Sequence, residues 1–117
     1  MGNMNVKPAD GKLGVLCVGL GAVTSTFMTG VLMARKGLAK PVGSMTQYDK
    51  MRVGRGENKK YLHYGEIVPL ADLKDIVFGA WDVYPANAYE SAINAEVLKE
   101  RDINPVKDEL EKIVPMK

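Results

Sequence analysis

Cysteine, histidine and net charge are all scarce in this sequence. A single cysteine, Cys17, excludes an intrachain disulfide, and with one histidine, His63, no Cys/His cluster exists to hold a structural zinc. The low thiol count suits a reducing compartment and gives a cytoplasmic expectation. His63 has neither a cysteine partner nor a serine in an obvious strand-to-helix elbow, so it reads as a satisfied or solvated side chain. A net charge of +2 is too small to argue for nucleic acid. Internal repeats and low-complexity tracts are also missing. What is present, 117 residues with 46% hydrophobic and 26% charged content, suffices for one small globular domain with a core.

Charge is absent altogether from Leu13 to Ala34, a stretch long enough to span a bilayer. Its composition argues otherwise: Gly19, Gly21, Thr24, Ser25, Thr26, Thr29 and Gly30 occupy the middle, where hydrocarbon favours Leu and Ile. No small-x-small cleavage site follows cleanly, which also sets aside a signal peptide. The segment reads instead as strand, turn and helix. Leu13 to Leu20 is a short, continuous apolar run of the kind buried in parallel sheets. Gly19-Leu20-Gly21 interrupts it, and Thr24 to Lys36 follows as a helix. Val23, Phe27 and Val31 form the expected buried stripe, with Met28 and Leu32 beside it. Arg35 and Lys36 suit the negative end of the helix dipole, and Gly37 suits a C-terminal cap.

A second strand is expected over Asp75 to Val83. A helix then starts at Asn87, with Glu90 placed for a capping box, Tyr89, Ile93 and Val97 as the buried stripe, and Lys99 and Arg101 in its last turn. Pro105 opens a further short helix through Ile113. Residues 38–70 carry no strong apolar run. Their basic stretch has Lys50, Arg52, Arg55, Lys59 and Lys60 against Glu57, with no aromatic residue interleaved, and reads as a solvated loop. The order β, α, irregular, β, α indicates an α/β fold.

Two glycines give the first functional hint. A dinucleotide site needs a tight strand-to-helix turn and a backbone the diphosphate can approach, and Gly19 and Gly21 supply a G-x-G at such a turn. Thr24, Ser25 and Thr26 would add hydroxyl donors. Thr24 takes the third glycine's slot, and Gly30 is the candidate for the close helix–strand contact. The ribose-holding acid expected about twenty residues further on is missing: Lys40-Pro41 stands there, and the first acid after the loop is Asp49. A lone G-x-G also fits a tight turn in any α/β protein. Asp82, at the end of the second strand, is either a ribose-holding carboxylate or a cap for the next helix.

Three segments together resemble the myo-inositol-phosphate synthase family, NAD-dependent enzymes that cyclise glucose 6-phosphate: "VGLGAVTST" (18–26), "GSMTQ" (43–47) and "FGAWDVYPANAYESAINAEVL" (78–98). The trailing "KDELEKIVPMK" is similar to that family's continuation. The resemblance implies that Gly19, Gly21, Ala22, Val23 and Thr24 wrap the NAD pyrophosphate and that Asp82 holds the adenosine ribose. Many members carry a longer loop with paired asparagines, which this sequence lacks. The implied fold is the N-terminal part of a Rossmann-like NAD-binding domain with an incomplete sheet. Residues 1–12 are then a flexible lead-in and residues 13–117 a partial NAD-binding domain. The catalytic domain is absent, and no metal ligand is implied. Catalytic lysines, the sugar-phosphate site and the tetramer interface of the family fall downstream of Lys117, so 117 residues alone are expected to be inactive and to expose apolar surface. Glucose 6-phosphate is the implied substrate and a homo-oligomer the implied assembly of a full-length enzyme, with no nucleic-acid or membrane partner. Three rivals stay open: another Rossmann protein, either an NAD(P)-dependent reductase or a non-catalytic dinucleotide-binding module; a membrane-anchored small protein; and a product of gene splitting with only an interaction role. The first leaves "GSMTQ" and "AWDVYPANAYES" unexplained.

Overall fold

A computed structural model describes residues 6–8 and 10–117. Much of the lead-in expected over 1–12 lies outside the described residues. The elements are β1 (Leu13–Val18), α1 (Ala22–Arg35), α2 (Met45–Tyr48), β2 (Lys50–Val53), β3 (Lys60–His63), α3 (Tyr64–Ile67), β4 (Ile76–Trp81), α4 (Ala88–Ala95), α5 (Glu100–Ile103) and α6 (Lys107–Glu111). β1 and β4 pair in parallel, from Leu13 opposite Ile76 to Val18 opposite Trp81. On the other edge of β4, the Met116 N–H donates to Ala80 O at 2.8 Å and the Asp82 N–H to Met116 O at 3.0 Å. Met116 therefore adds a third position, in the order β1, β4, Met116.

Register partners in a parallel pair point to the same side. Val15 with Phe78 and Cys17 with Ala80 face the helices, where Ala80 is completely buried. The core gathers there from Leu20, Met28, Leu32, Ala88, Ala92, Ile103, Val106 and Leu110. The opposite face holds Leu16, Val18 and Val77, which are 60%, 90% and 52% exposed. The expected exposure of apolar surface is thus present, and within the pair it is concentrated on one side.

α1 departs from the expected stripe. Val23 is 83% exposed and Phe27 only half-covered, by edge-on contact with Phe78 at 5.7 Å. The buried side is Ser25, Met28, Thr29, Val31 and Leu32. Two hydroxyl residues can be buried because the helix satisfies them itself: Ser25 Oγ donates to Ala22 O and Thr29 Oγ1 to Ser25 O at 2.7 Å. α4 likewise buries small residues, Ala88 and Ala92, where it packs on α1. Gly37 does end α1: at φ 70° its N–H reaches Ala34 O, and the Leu38 N–H reaches Met33 O at 3.0 Å. Arg35 ties that end to the start of β4 through the carbonyls of Leu73 and Ile76.

Asn87 caps α4, accepting the Glu90 N–H at 2.9 Å. The helix stops at Ala95, where Glu96 turns left-handed at φ 56°. Lys99 and Arg101 consequently belong to the start of α5, and Val97 is exposed. This early stop lets the chain turn back and bury Ile103, Val106 and Leu110. Pro105 opens a 3-10 turn ahead of α6, as its fixed φ allows.

The loop expected within 38–70 is corrected to an antiparallel hairpin, β2 with β3, flanked by α2 and α3. Its strands have four residues each and lie at the surface, so neither carries the apolar run by which a buried strand announces itself. Gly54, at φ 88°, is required there: a Cβ would stand 2.6 Å from Asn58 O. The pairing also sets Tyr61 opposite Arg52, an aromatic–cation neighbourhood the linear sequence hides.

Candidate dinucleotide site

The glycine turn and Asp82 meet at the carboxyl ends of β1 and β4, where open α/β sheets place their ligands. The Gly19 N–H donates to Trp81 O at 2.7 Å, extending the ladder by one step. Gly19 then bends the chain at φ 99°, and the Leu20 N–H donates to Asp82 Oδ2 at 2.8 Å. Asp82 Oδ1 accepts the Tyr84 N–H at 3.0 Å. These two N–H groups, Tyr84's and then Leu20's, hold the Asp82 carboxyl below its ordinary pKa, so it is ionised near neutrality. Asp82 does not cap α4, since Asn87 does, and the capping alternative is excluded.

No acid stands twenty residues downstream of the turn, but the topology sets Asp82 beside it. The strand beside β1 in the parallel sheet is β4, and the excursion through α2, β2, β3 and α3 comes before it. Asp82 thus ends the neighbouring parallel strand, the place of the ribose acid in a dinucleotide fold, while standing far from Gly19 in sequence.

Gly21 forms the N-terminal boundary of α1, and no side chain caps that helix among the described residues. The first turn, Ala22 to Thr24, presents N–H groups that a helix cannot satisfy internally, at the positive end of its dipole. Gly21 itself has φ −109°, which any residue adopts, and a Cβ there would meet no protein atom within 4 Å. The protein's own packing does not require glycine at this position. The space in front of the helix is open, and a diphosphate fits the donors that face it. Thr24 keeps its hydroxyl free of hydrogen bonds among the described residues. The other two expected donors are committed: Thr26 Oγ1 donates to Ala22 O at 2.6 Å, and Ser25 is buried with its hydroxyl on the same carbonyl. Gly30 is exposed, with open space where its Cβ would be, so it makes no close helix–strand contact.

Two cavities flank the turn. One, of about 570 Å³, is lined by Val18, Gly19, Trp81, Asp82, Val83 and Lys117. The other, of about 390 Å³, runs from Gly21, Ala22 and Asp82 to Tyr84, Ser91 and Asn94. Ser91 and Asn94 were not singled out by sequence reasoning; their spacing of three on α4, one turn past the Asn87 cap, is the signal that could have found them. The "GSMTQ" segment stands apart. Gly43, Ser44 and Gln47 line a groove of about 360 Å³ against Thr26, Gly30 and Ala34 of α1. His63 sits at the start of α3, its N–H held by Glu66 at 2.8 Å, in keeping with a structural role. Among the described residues no His/Cys/Asp/Glu group is arranged to hold a metal, and no helix is long and apolar enough to cross a membrane.

Comparison with known proteins shows the family and the fold. The model of the NAD-binding domain family described as myo-inositol-1-phosphate synthase matches residues 13–117. Inositol-3-phosphate synthase 1 of Bacteroides thetaiotaomicron is 59% identical over 112 residues, which cover 95% of this chain and 25% of that protein. Inositol-3-phosphate synthase 1 of Oryza sativa subsp. japonica is 32% identical, over 90% of this chain and 23% of its own. The crystal structure of inositol-3-phosphate synthase from Caenorhabditis elegans superposes with a TM-score of 0.76 at 27% identity, covering 94% of this chain and 24% of that one. The chain spans about a quarter of the length of these relatives. With a family match from the first strand to Lys117 and the same fold in a solved member, the chain belongs to the myo-inositol-1-phosphate synthase family, in its NAD-binding domain.

Proposed function

We propose that residues 13–117 hold the adenosine-diphosphate end of NAD for an inositol-3-phosphate synthase. That enzyme converts glucose 6-phosphate to inositol phosphate by internal oxidation, aldol cyclisation and reduction. Bound NAD supplies the hydride acceptor and donor. The chain's own part is binding and orientation. Gly19 and Gly21 clear the approach, the first-turn amides of Ala22, Val23 and Thr24 meet the diphosphate charge, and Asp82 accepts from the ribose hydroxyls. A carboxylate has about four lone-pair sites, and backbone donors occupy two of Asp82's, so acceptor capacity remains for a ribose. In this reading the groups that act on the sugar, and the surfaces that assemble the oligomer, belong to the other three quarters of the relatives' length. Residues 1–117 alone then turn over no glucose 6-phosphate. The single free cysteine fits a cytoplasmic setting.

The observation that carries this reading is the first turn of α1, which no side chain caps, opening beside Asp82 at the carboxyl ends of β1 and β4. Its test is Gly21→Ala, followed by calorimetric titration with NAD and by urea unfolding. Stability is expected to change by no more than about 1 kcal/mol, the scale of an N-cap exchange. NAD affinity is expected to fall at least about tenfold, because the new methyl enters the diphosphate's space. Undiminished affinity would remove the loop from the site.

A further inference from the structure

Successive N–H groups of an extended strand point to opposite edges. At the end of β1 they do not: Gly19 and Leu20 both donate towards β4, the first to Trp81 O at 2.7 Å and the second to Asp82 Oδ2 at 2.8 Å. The bend at Gly19, φ 99°, makes this possible. Asp82 Oδ1 meanwhile takes the Tyr84 N–H at 3.0 Å. One carboxylate therefore joins the bend after β1 to the bend after β4, across 62 positions of sequence.

We propose that Asp82 is a positioning residue that fastens the glycine turn, fixing Gly21 and the first-turn amides of α1 in their phosphate-facing arrangement before the cofactor arrives. This rests on the dinucleotide reading of the site but is separable from it, because the fastening is made between protein groups alone. It also differs in kind from holding a ribose. A residue that only gripped the sugar would repel a bare diphosphate, so removing its charge would leave the binding of that anion unchanged or strengthen it. A residue that sets the turn does the reverse: without it the donors lose their alignment and the anion binds less well.

Asp82→Asn separates the two roles. The variant keeps the size of the side chain, but its amide can accept only through oxygen and turns an N–H group towards the other backbone donor. The experiment follows individual amides by NMR in wild type and variant. In the wild type without ligand, Leu20 and Tyr84 are expected to exchange hydrogen at least about tenfold more slowly than Gly21. In Asp82→Asn that protection should be lost at Leu20 or Tyr84, while Leu110 in the core keeps its own. Titration with inorganic pyrophosphate, read at Gly21 and Ala22, should show affinity several-fold lower in the variant. An unprotected Leu20 amide in the wild type, unchanged exchange in a folded variant, or pyrophosphate affinity that is kept or increased would each overturn the proposal. Failure of the wild type to bind pyrophosphate would count against the dinucleotide reading; the Leu20 amide would then decide the fastening by itself.

Discussion

The two faces of the parallel pair are made from the same two strands and meet opposite fates. One lies under α1, α4 and α6, with Ala80, Met28, Ile103 and Leu110 removed from water. The other presents Leu16, Val18 and Val77 to it. Parallel strands are apolar on both sides because the architecture covers both, and the residues described here supply one cover only. The contrast separates what these residues do for themselves from what they leave for further structure. The ligand-binding ends of the strands sit at the boundary between the two faces, one cavity on the side of Val18 and Trp81 and the other towards α4.

The largest expected effect comes from treating the faces alike. Ile103→Ala should cost about 2–5 kcal/mol in urea unfolding of this chain, the range for emptying a filled core position. Leu16→Thr, on the bare face, should stay within about 0.5 kcal/mol and reduce self-association in sedimentation experiments. Equal costs for the two would mean that the bare face is covered in solution and that the contrast is false. A smaller effect belongs to the bend where the faces meet. Gly19→Ala should cost about 1–2 kcal/mol, the strain of a left-handed backbone on an L side chain, even though a methyl has room there. A neutral Gly19→Ala would show that the bend relaxes.

The smallest effect is electrostatic and lies on the covered side. Lys36 reaches both Glu109, at 2.6 Å, and the Pro105 carbonyl, holding α6 to the end of α1. The hydrogen bond from Lys36 lowers the Glu109 pKa, as the Tyr84 and Leu20 amides lower that of Asp82. A carboxyl whose folded pKa is depressed contributes stability that is present above the unfolded value, roughly 4, and is lost as pH falls through the folded one. Melting temperature should therefore be level near neutrality and decline below about pH 4. The half-exposed Glu109 pair should account for less than about 1 kcal/mol of this, measured as the difference between wild type and Glu109→Gln across that range. A Glu109→Gln profile that declined as steeply as wild type would assign the acid sensitivity elsewhere.

The parts of the molecule legible in the sequence are those with one strong local cause. β1 and β4 showed as apolar runs, Gly37 as a cap after basic residues, and Asn87 as an N-cap with Glu90 behind it. Where tertiary packing chose between local options, the sequence misled. The buried side of α1 runs through Ser25 and Thr29 because hydroxyls that bond back to their own helix can be buried against small neighbours, a choice hydropathy ranks last. The β2–β3 hairpin was hidden by its exposure, and the stop of α4 at Glu96 by the absence of a breaker residue. Within the candidate site, the glycines and Asp82 were visible as residue types. The bond between Asp82 and Leu20 was not, since it depends on β1 and β4 lying side by side. Ser91 and Asn94 entered only through the cavity they line.

If the turn after β1 receives the diphosphate of NAD, an amide chemical-shift map of this protein as NAD is added tests it most directly. The largest shifts are expected at Gly19, Gly21, Ala22, Val23 and Thr24, with Asp82 and Tyr84 following at the same apparent affinity. Shifts centred instead on the groove of Gly43, Ser44 and Gln47, with the turn after β1 unmoved at saturating NAD, would contradict it.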